Sequence, residues 1–282
     1  MRYTLLPLFF LAPLLANATE STPSEMVNEA AKALRANDIG KLVTAVLGED
    51  NEMRSEWEDA RKDADPEDDM MLNMQLSMIS NPDMNEMLIM QSRMGASELP
   101  AGQELSQTIG FAPMMVMGFT GGNPALAQSP ELTFLMGLLP DLQAWVLTAN
   151  LNDADKAAQS TRLFLEGFQK LGITNAAELR ALEFDEVVAK AGELATVVKE
   201  VLKVYAIDLD AFLDTVKASS EGDTLTLNFK MLGKDRSLAM PMVEVDGTWL
   251  PKTFVAMQEA MMQPAGGGFD DFEGFDDDFD DE

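Results

Sequence analysis

The stretch that decides the fold is residues 222–231, which read GDTLTLNFKM. Leu225, Leu227 and Phe229 alternate with polar residues, and a period of two is typical of a strand with one buried face. The Gly-Asp pair at the start of the stretch favours a turn, after which a strand can begin. The stretch therefore predicts a half-buried strand and, with it, a sheet near the carboxyl end of the chain.

The residues that follow extend this sheet. Residues 236–245 predict a second strand, in which Pro241-Met242 indicates a bulge at a sheet edge because the apolar positions change parity there. Asp246-Gly247 predicts a tight hairpin turn into a short strand at 248–250. A helix at 252–263 is expected to close the sheet. Together these features predict a small antiparallel β-meander.

Before the sheet, the chain follows the helical period of 3.6 residues. Thr22-Pro23-Ser24-Glu25 is a capping box with proline at the first helical position, and it predicts where the first helix begins. Residues 105–130 carry no charge and predict a buried helix followed by a turn. Gly95 is expected to end the helix predicted at 82–94, and Gly192 allows a break in the helix predicted at 186–205. Besides the helix from 105, helices are predicted at 23–36, 39–47, 51–62, 66–80, 82–94, 130–138, 141–149, 153–171, 175–182, 186–205 and 209–218.

These patterns predict a mainly α, multi-helix fold with a small C-terminal antiparallel β-meander, α+β overall. With 46% apolar residues, the chain can bury a core of this kind. Four parts are expected along the chain. They are a signal peptide at 1–18, a helical domain at 19–218, the β-meander with its closing helix at 219–263, and a disordered acidic Phe-rich tail at 264–282.

Composition excludes several kinds of chemistry. The 282 residues include 48 acids and 20 bases, for a formal net charge of −28, and they contain no histidine and no cysteine. Disulfides, thiolate nucleophiles, His/Cys zinc sites and serine–histidine triads are therefore excluded. Nucleic acid is not an expected partner, because its binding is driven by neutralisation of phosphate charge. A carboxylate-based hydrolase is the enzyme class left open, although no motif for nucleophilic or phosphate chemistry is present.

The amino end has the pattern of an export signal. It carries one positive charge at Arg2, an apolar stretch at 5–15 and the small-x-small sequence Ala16-Asn17-Ala18. This pattern predicts a cleaved signal peptide, with cleavage after Ala18, and a periplasmic or secreted mature protein. The apolar stretch is too short for a spanning helix, and no transmembrane span is expected after cleavage.

The predicted sheet also resembles a known family. Residues 222–226, GDTLT, and 242–250, MVEVDGTWL, are similar to the final strands of small secreted bacterial domains of the NTF2-like type. The resemblance is limited to this part of the chain, and the helices before it depart from the family pattern. It implies a cone-shaped sheet packed on helices, and it implies no catalytic residues.

Methionine is concentrated in the two helices predicted at 66–80 and 82–94. Most of these methionines recur three or four residues apart, which places their thioethers on one side of each helix. One interpretation is a core or an adaptable partner-binding surface, since methionine suits both. The alternative is a periplasmic copper(I) site, because thioethers bind this soft ion. The copper(I) candidates are Met70, Met74, Met78, Met87, Met90 and Met94; Met71 and Met84 complete the group of eight, out of 21 in the chain.

The end of the chain combines acids with regularly placed aromatic residues. Phe269, Phe272, Phe275 and Phe279 are set among nine acids in the last 14 residues. Such a segment buries too little apolar surface to fold alone. It is either a solubilising extension or a short linear motif, in which the acids attract a basic partner and the phenylalanines anchor it.

Taken together, the sequence favours a secreted or periplasmic soluble protein that binds and does not catalyse. The predicted partner is a basic or hydrophobic envelope protein, bound in a chaperone-like manner by the methionine-rich helices and the acidic tail. Copper(I) binding by methionine and carboxylate-based hydrolysis remain the two alternatives. No cofactor is predicted.

Overall fold

The computed structural model describes residues 22–47, 53–62, 66–114, 128–245 and 248–256. Helices fill most of these ranges, and an antiparallel sheet follows them, so the predicted fold class is confirmed. Residues 112–114 and 252–256 are also helical. The named helices are α1 (Pro23–Arg35), α2 (Ile39–Leu47), α3 (Met53–Ala60), α4 (Pro66–Ser80), α5 (Pro82–Ser97), α6 (Gly102–Gly110), α7 (Pro130–Ala149), α8 (Ala154–Lys170), α9 (Ala176–Ala181), α10 (Phe184–Val204) and α11 (Leu209–Leu213).

The sheet is a four-stranded meander in the order β1-β2-β3-β4. Within it Leu225 pairs with Met240, and Leu227 with Leu238, so that the apolar residues of neighbouring strands share one face. The alternating burial predicted for 222–231 is confirmed, because Leu225, Leu227 and Phe229 are all buried. The strands are β1 (Lys217–Glu221), β2 (Thr224–Met231), β3 (Lys234–Val245) and β4 (Thr248–Pro251).

The predicted bulge at Pro241-Met242 is wrong. Pro241 pairs with Thr224 in the unbroken register of β2 and β3, and Met242 pairs with Pro251 as β3 passes on to β4. Met242 lies on the same buried face as Met240. The change of parity read from the sequence came from Val243 and Val245. These apolar side chains lie on the other face, where Val245 is exposed.

The sheet also has a strand that the sequence did not predict. The helix expected at 209–218 ends at Leu213, and β1 begins at Lys217 and pairs with β2. Most side chains of β1 are exposed, and Ala218 is half-buried. An edge strand of this kind lacks the apolar alternation that identifies a strand in a sequence.

The buried face of the sheet packs against α1, the first helix of the described residues. Met26 of α1 lies in one cluster with the buried residues of β2 and β3. Asn28 fixes α1 to the edge strand, because its side-chain amide donates to the Ala218 carbonyl at 3.0 Å and accepts from the Ala218 amide at 2.9 Å. Phe134 and Phe212 cover the cluster with edge-on contacts to Phe229. Helix α1 and the sheet, which are far apart in sequence, therefore share one core.

The helical part is built around α8, which packs against α5, α4 and α10. Ile89 of α5 lies in a buried cluster with Ala158 and Leu165 of α8. Leu76 of α4 lies in a second cluster with Leu171, at the end of α8. Each of the two methionine-rich helices is thus held through one apolar face.

Two predicted helix interruptions are wrong. Residues 130–149 form one helix, α7, that contains Pro140. An internal proline removes one hydrogen bond and crowds the preceding turn, which can kink a helix without ending it. Gly192 lies inside the unbroken helix α10. A Cβ atom built there would lie 2.4 Å from the Asn37 carbonyl oxygen, so this glycine serves a close contact and not a break.

Two further differences concern α5 and α6. Helix α5 continues through Gly95 to Ser97, one turn beyond its predicted end at 94. The buried helix predicted from 105 onwards is wrong, because α6 has no fully buried residue.

Within the described part of the chain, α7 is long and apolar enough to span a membrane, judged by its length and composition. Of its most apolar stretch, 17% is buried.

Candidate partner-binding surface

The helix pair α4 and α5 is joined by a short, well-defined corner. The Asn81 side chain accepts a hydrogen bond from the Asp83 amide at 2.9 Å, and Pro82 occupies the first turn of α5. Both residues are standard choices for starting a helix, because they satisfy or omit an amide that has no partner in the helix. The predicted boundary between the two helices is confirmed.

Polar contacts fix the inner side of both helices to the rest of the protein. On α4 the Asn73 side chain accepts from the Ala176 amide at 2.7 Å, and Asp69 forms an ion pair with Arg180 at 2.6 Å. The Gln169 side chain of α8 donates to the Ile79 carbonyl oxygen of α4 at 3.2 Å and to the Asn85 side-chain oxygen of α5 at 3.1 Å. Together with the buried Leu76 and Ile89, these contacts hold α4 and α5 in one orientation.

The outer side of both helices carries the methionines. Their exposed fractions range from 37% at Met78 to 70% at Met70, so these side chains are surface and not core. We call this set the methionine surface: Met70, Met71, Met74, Met78, Met87, Met90 and Met94.

Exposed apolar side chains are concentrated in one range of the sequence. Among the described residues, 14 large apolar side chains are exposed, and 11 of them lie between residues 53 and 114. Besides the methionine surface, they are Met53, Leu99, Phe111 and Met114. Single exposed apolar residues are normal in soluble proteins, whereas a concentration of them marks an interaction site.

Most charged side chains of the described range 66–114 are acids. Residues 70–82 contain no charged side chain. Asp83, Glu86 and Glu98 are exposed acids on α5 or at its end. In the described range 66–114 the one base is Arg93, which forms an ion pair with Asp155 of α8 at 3.0 Å.

The sequence predicted a group of methionines as candidates but left their orientation open. All six copper(I) candidates belong to the methionine surface, and the structure adds Met71 as an equally exposed neighbour. Leu72, Leu76 and Ile79 of α4 are turned inward. They form a second apolar stripe in the sequence, and this stripe indicates that the buried face of α4 does not need the methionines. Phe269, Phe272, Phe275 and Phe279 lie outside the described residues, as do the signal peptide, the Asp246-Gly247 turn and residues 257–263.

A second group of charged side chains joins α7 to the sheet. Asp141 of α7 is buried and forms ion pairs with Lys234 and Arg236 of β3. A cleft of about 420 Å³ lies beside this strand and is lined by charges of both signs, including Asp214, Lys217 and Lys230 of neighbouring elements. In the part of the chain covered by the structure, no group of three or more acids is placed to hold a metal ion.

Comparisons with protein families, curated proteins and solved structures found no match to this chain.

Proposed function

We propose that this protein is a secreted, chaperone-like binding protein whose methionine surface holds apolar segments of other proteins. The observation that carries the proposal is the exposure of seven methionines on two helices whose inner faces are anchored. The amino-terminal sequence supports export, because it combines a charged start, a short apolar stretch and a small-residue cleavage site.

The physical properties of methionine favour this function. Its side chain is unbranched, flexible and polarisable, and it can therefore adapt to apolar partners of different shape. Full burial of one such side chain stabilises a contact by about 1.5–3 kcal/mol, so a few methionines suffice for useful affinity. The net charge of −28 keeps a protein with an exposed apolar surface soluble.

The first test measures protection of an unfolding protein. The mature protein is expected to slow the aggregation of insulin reduced by dithiothreitol, and it has no cysteine that the reductant could alter. Replacing Met74, Met78, Met87 and Met90 by glutamine should raise the concentration needed for half-protection at least about tenfold, since the lost burial exceeds 1.4 kcal/mol. The matched control is the pair Leu147→Gln and Val198→Gln, which are exposed apolar positions outside the methionine surface. Equal protection by both variants would contradict the proposal.

Copper(I) binding is the second candidate, and the exposure of Met70, Met74 and Met78 at one-turn spacing favours it. Titration against a copper(I) chelator should show uptake that is lost when Met74, Met78, Met87 and Met90 are replaced by leucine. Leucine removes the sulfur but keeps the apolar side chain, so this variant should still protect insulin. Uptake unchanged in the leucine variant would rule out this candidate without affecting the first.

A further inference from the structure

We propose that the preferred partner of the methionine surface is a cationic amphipathic segment, with an apolar stripe bordered by lysine or arginine. This inference rests on the proposed function above, and it names the partner's chemistry. Its basis is the position of exposed acids beside the methionines, and not the net charge alone.

On α5 the acids share the methionine face. Asp83 precedes Met87, Met90 and Met94 by four, seven and eleven residues, which are the spacings of one side of a helix. Glu86 lies one turn before Met90. Asp83 and Glu86 are both exposed. The methionine face of α5 therefore begins with two carboxylates.

Acids also lie beside methionines at the end of α5 and at the start of α4. Glu98 is exposed directly after α5, where it caps the end of the helix. Glu67 is exposed on the first turn of α4 and precedes Met70, Met71 and Met74 by three, four and seven residues. The one described base of this region, Arg93, is already paired with Asp155. Within the described range 66–114, a bound segment would therefore meet thioethers bordered mainly by negative charge.

Charge complementarity then selects the partner. A basic border on the bound segment places opposite charges beside Asp83, Glu86 and Glu98, while an acidic border places like charges there. A partner helix of about 15 residues would reach from Asp83 to Glu98, which are about 22 Å apart along α5 at 1.5 Å per residue. Recognition of an amphipathic helix by its apolar face is an established mode of peptide binding.

The test uses three fluorescently labelled 15-residue peptides that share one leucine face. Their polar positions are all lysine, all glutamine or all glutamate, and binding is followed by fluorescence anisotropy at physiological salt. We expect the lysine peptide to bind at least about tenfold more tightly than the glutamine peptide, and the glutamate peptide to bind most weakly. Equal affinity for the lysine and glutamate peptides would overturn the inference.

Two charge variants separate a local effect from the net charge. The local variant is Asp83→Asn, Glu86→Gln and Glu98→Gln, and it should lose most of the preference for lysine. The distant variant removes the same number of charges from the sheet, by Glu221→Gln, Asp235→Asn and Glu244→Gln. It should keep most of the preference. Equal losses in both variants would show that the protein's overall charge, and not the border of the methionine surface, selects the partner.

The glutamine peptide distinguishes this inference from the proposed function. If it binds and Met87→Gln, Met90→Gln and Met94→Gln abolish that binding, the proposed function stands whatever the charge preference. If binding of all three peptides is unaffected by these substitutions, the proposed function and the inference both fail. Circular dichroism of each variant checks that the helices are retained.

Discussion

Replacement of Lys199 by methionine should lower the free energy of unfolding by about 2–4 kcal/mol. Lys199 is 2% exposed, and its ammonium group donates to the Leu34 and Arg35 carbonyl oxygens at 2.7 and 3.1 Å. The same group lies 2.7 Å from a carboxylate oxygen of Asp210. Methionine would fill the space, but it would leave the last carbonyls of α1 and the Asp210 charge without this donor.

Urea unfolding followed by circular dichroism measures this effect. The matched control is Lys203→Met, because Lys203 lies on the same helix and is paired with Glu200 at a more exposed position. The control should change stability by less than about 1 kcal/mol, as is usual for surface ion pairs. Similar destabilisation by both substitutions would contradict the role assigned to Lys199.

The contribution of this ion pair should also depend on pH. The hydrogen bond from Lys199 holds the pKa of Asp210 below its ordinary value. A carboxyl group with a lowered pKa in the folded state stabilises the protein above its unfolded pKa, about 3.9 for aspartate. That stability is lost as the pH falls through the lower folded pKa. The difference in stability between the parent protein and Lys199→Met should therefore shrink in acid.

Replacement of Gly192 by alanine should lower the free energy of unfolding by about 2–3 kcal/mol. The new Cβ would lie 2.4 Å from the Asn37 carbonyl oxygen, a contact that real Cβ atoms do not make. Asn37 belongs to the turn between α1 and α2, has a φ of 57°, and donates from its side chain to Thr196 at 2.9 Å. A backbone turn held in this way cannot move aside as a flexible side chain would.

Alanine at Gly137 is the control for this substitution. Gly137 also lies inside a long helix, but no atom lies within 4 Å of a Cβ built there. Alanine at this site should raise stability by about 0.5–1 kcal/mol, because it lowers the backbone entropy of the unfolded chain. Thermal unfolding of both variants gives the comparison. A stable Gly192→Ala protein would show that α10 does not pack against the α1–α2 turn as described.

The sequence predicted those parts of the fold that depend on local chemistry. Thr22, Asn81 and Asp208 each start a helix where expected, because their side chains accept from backbone amides of the first turn. The buried face of β2 was equally clear from its alternating leucines. These features need no knowledge of distant residues.

The remaining features depend on contacts between distant parts of the chain. Strand β1 exists because β2 supplies its partner, and its own side chains carry no strand pattern. Considered by itself, Gly192 allowed a break in the predicted helix. In the structure α10 continues through it and packs against the Asn37 turn. Lys199 gave no sign that it would be buried, because its acceptors are the last carbonyls of α1 and the side chain of Asp210.

The candidate site was predicted in part. The clustering and spacing of methionine identified the six candidates, whereas their orientation required α8. Methionine, leucine and isoleucine are all apolar, so the sequence shows two apolar stripes on α4 without stating which one is buried. Leu72, Leu76 and Ile79 face the core, and Met70 and Met74 are left outside.

The most direct test of the central claim is a methyl NMR spectrum of the mature protein, labelled with ¹³C at the methionine methyl groups. The probe is the glutamine peptide, which has a leucine face and glutamine at every polar position. On its addition, the signals of Met74, Met78, Met87 and Met90 are expected to shift or broaden. Met26 and Met242, each 1% exposed, serve as internal references that should stay unchanged. Unchanged signals from the methionine surface, or equal changes at the buried references, would contradict the claim that these exposed thioethers bind apolar segments.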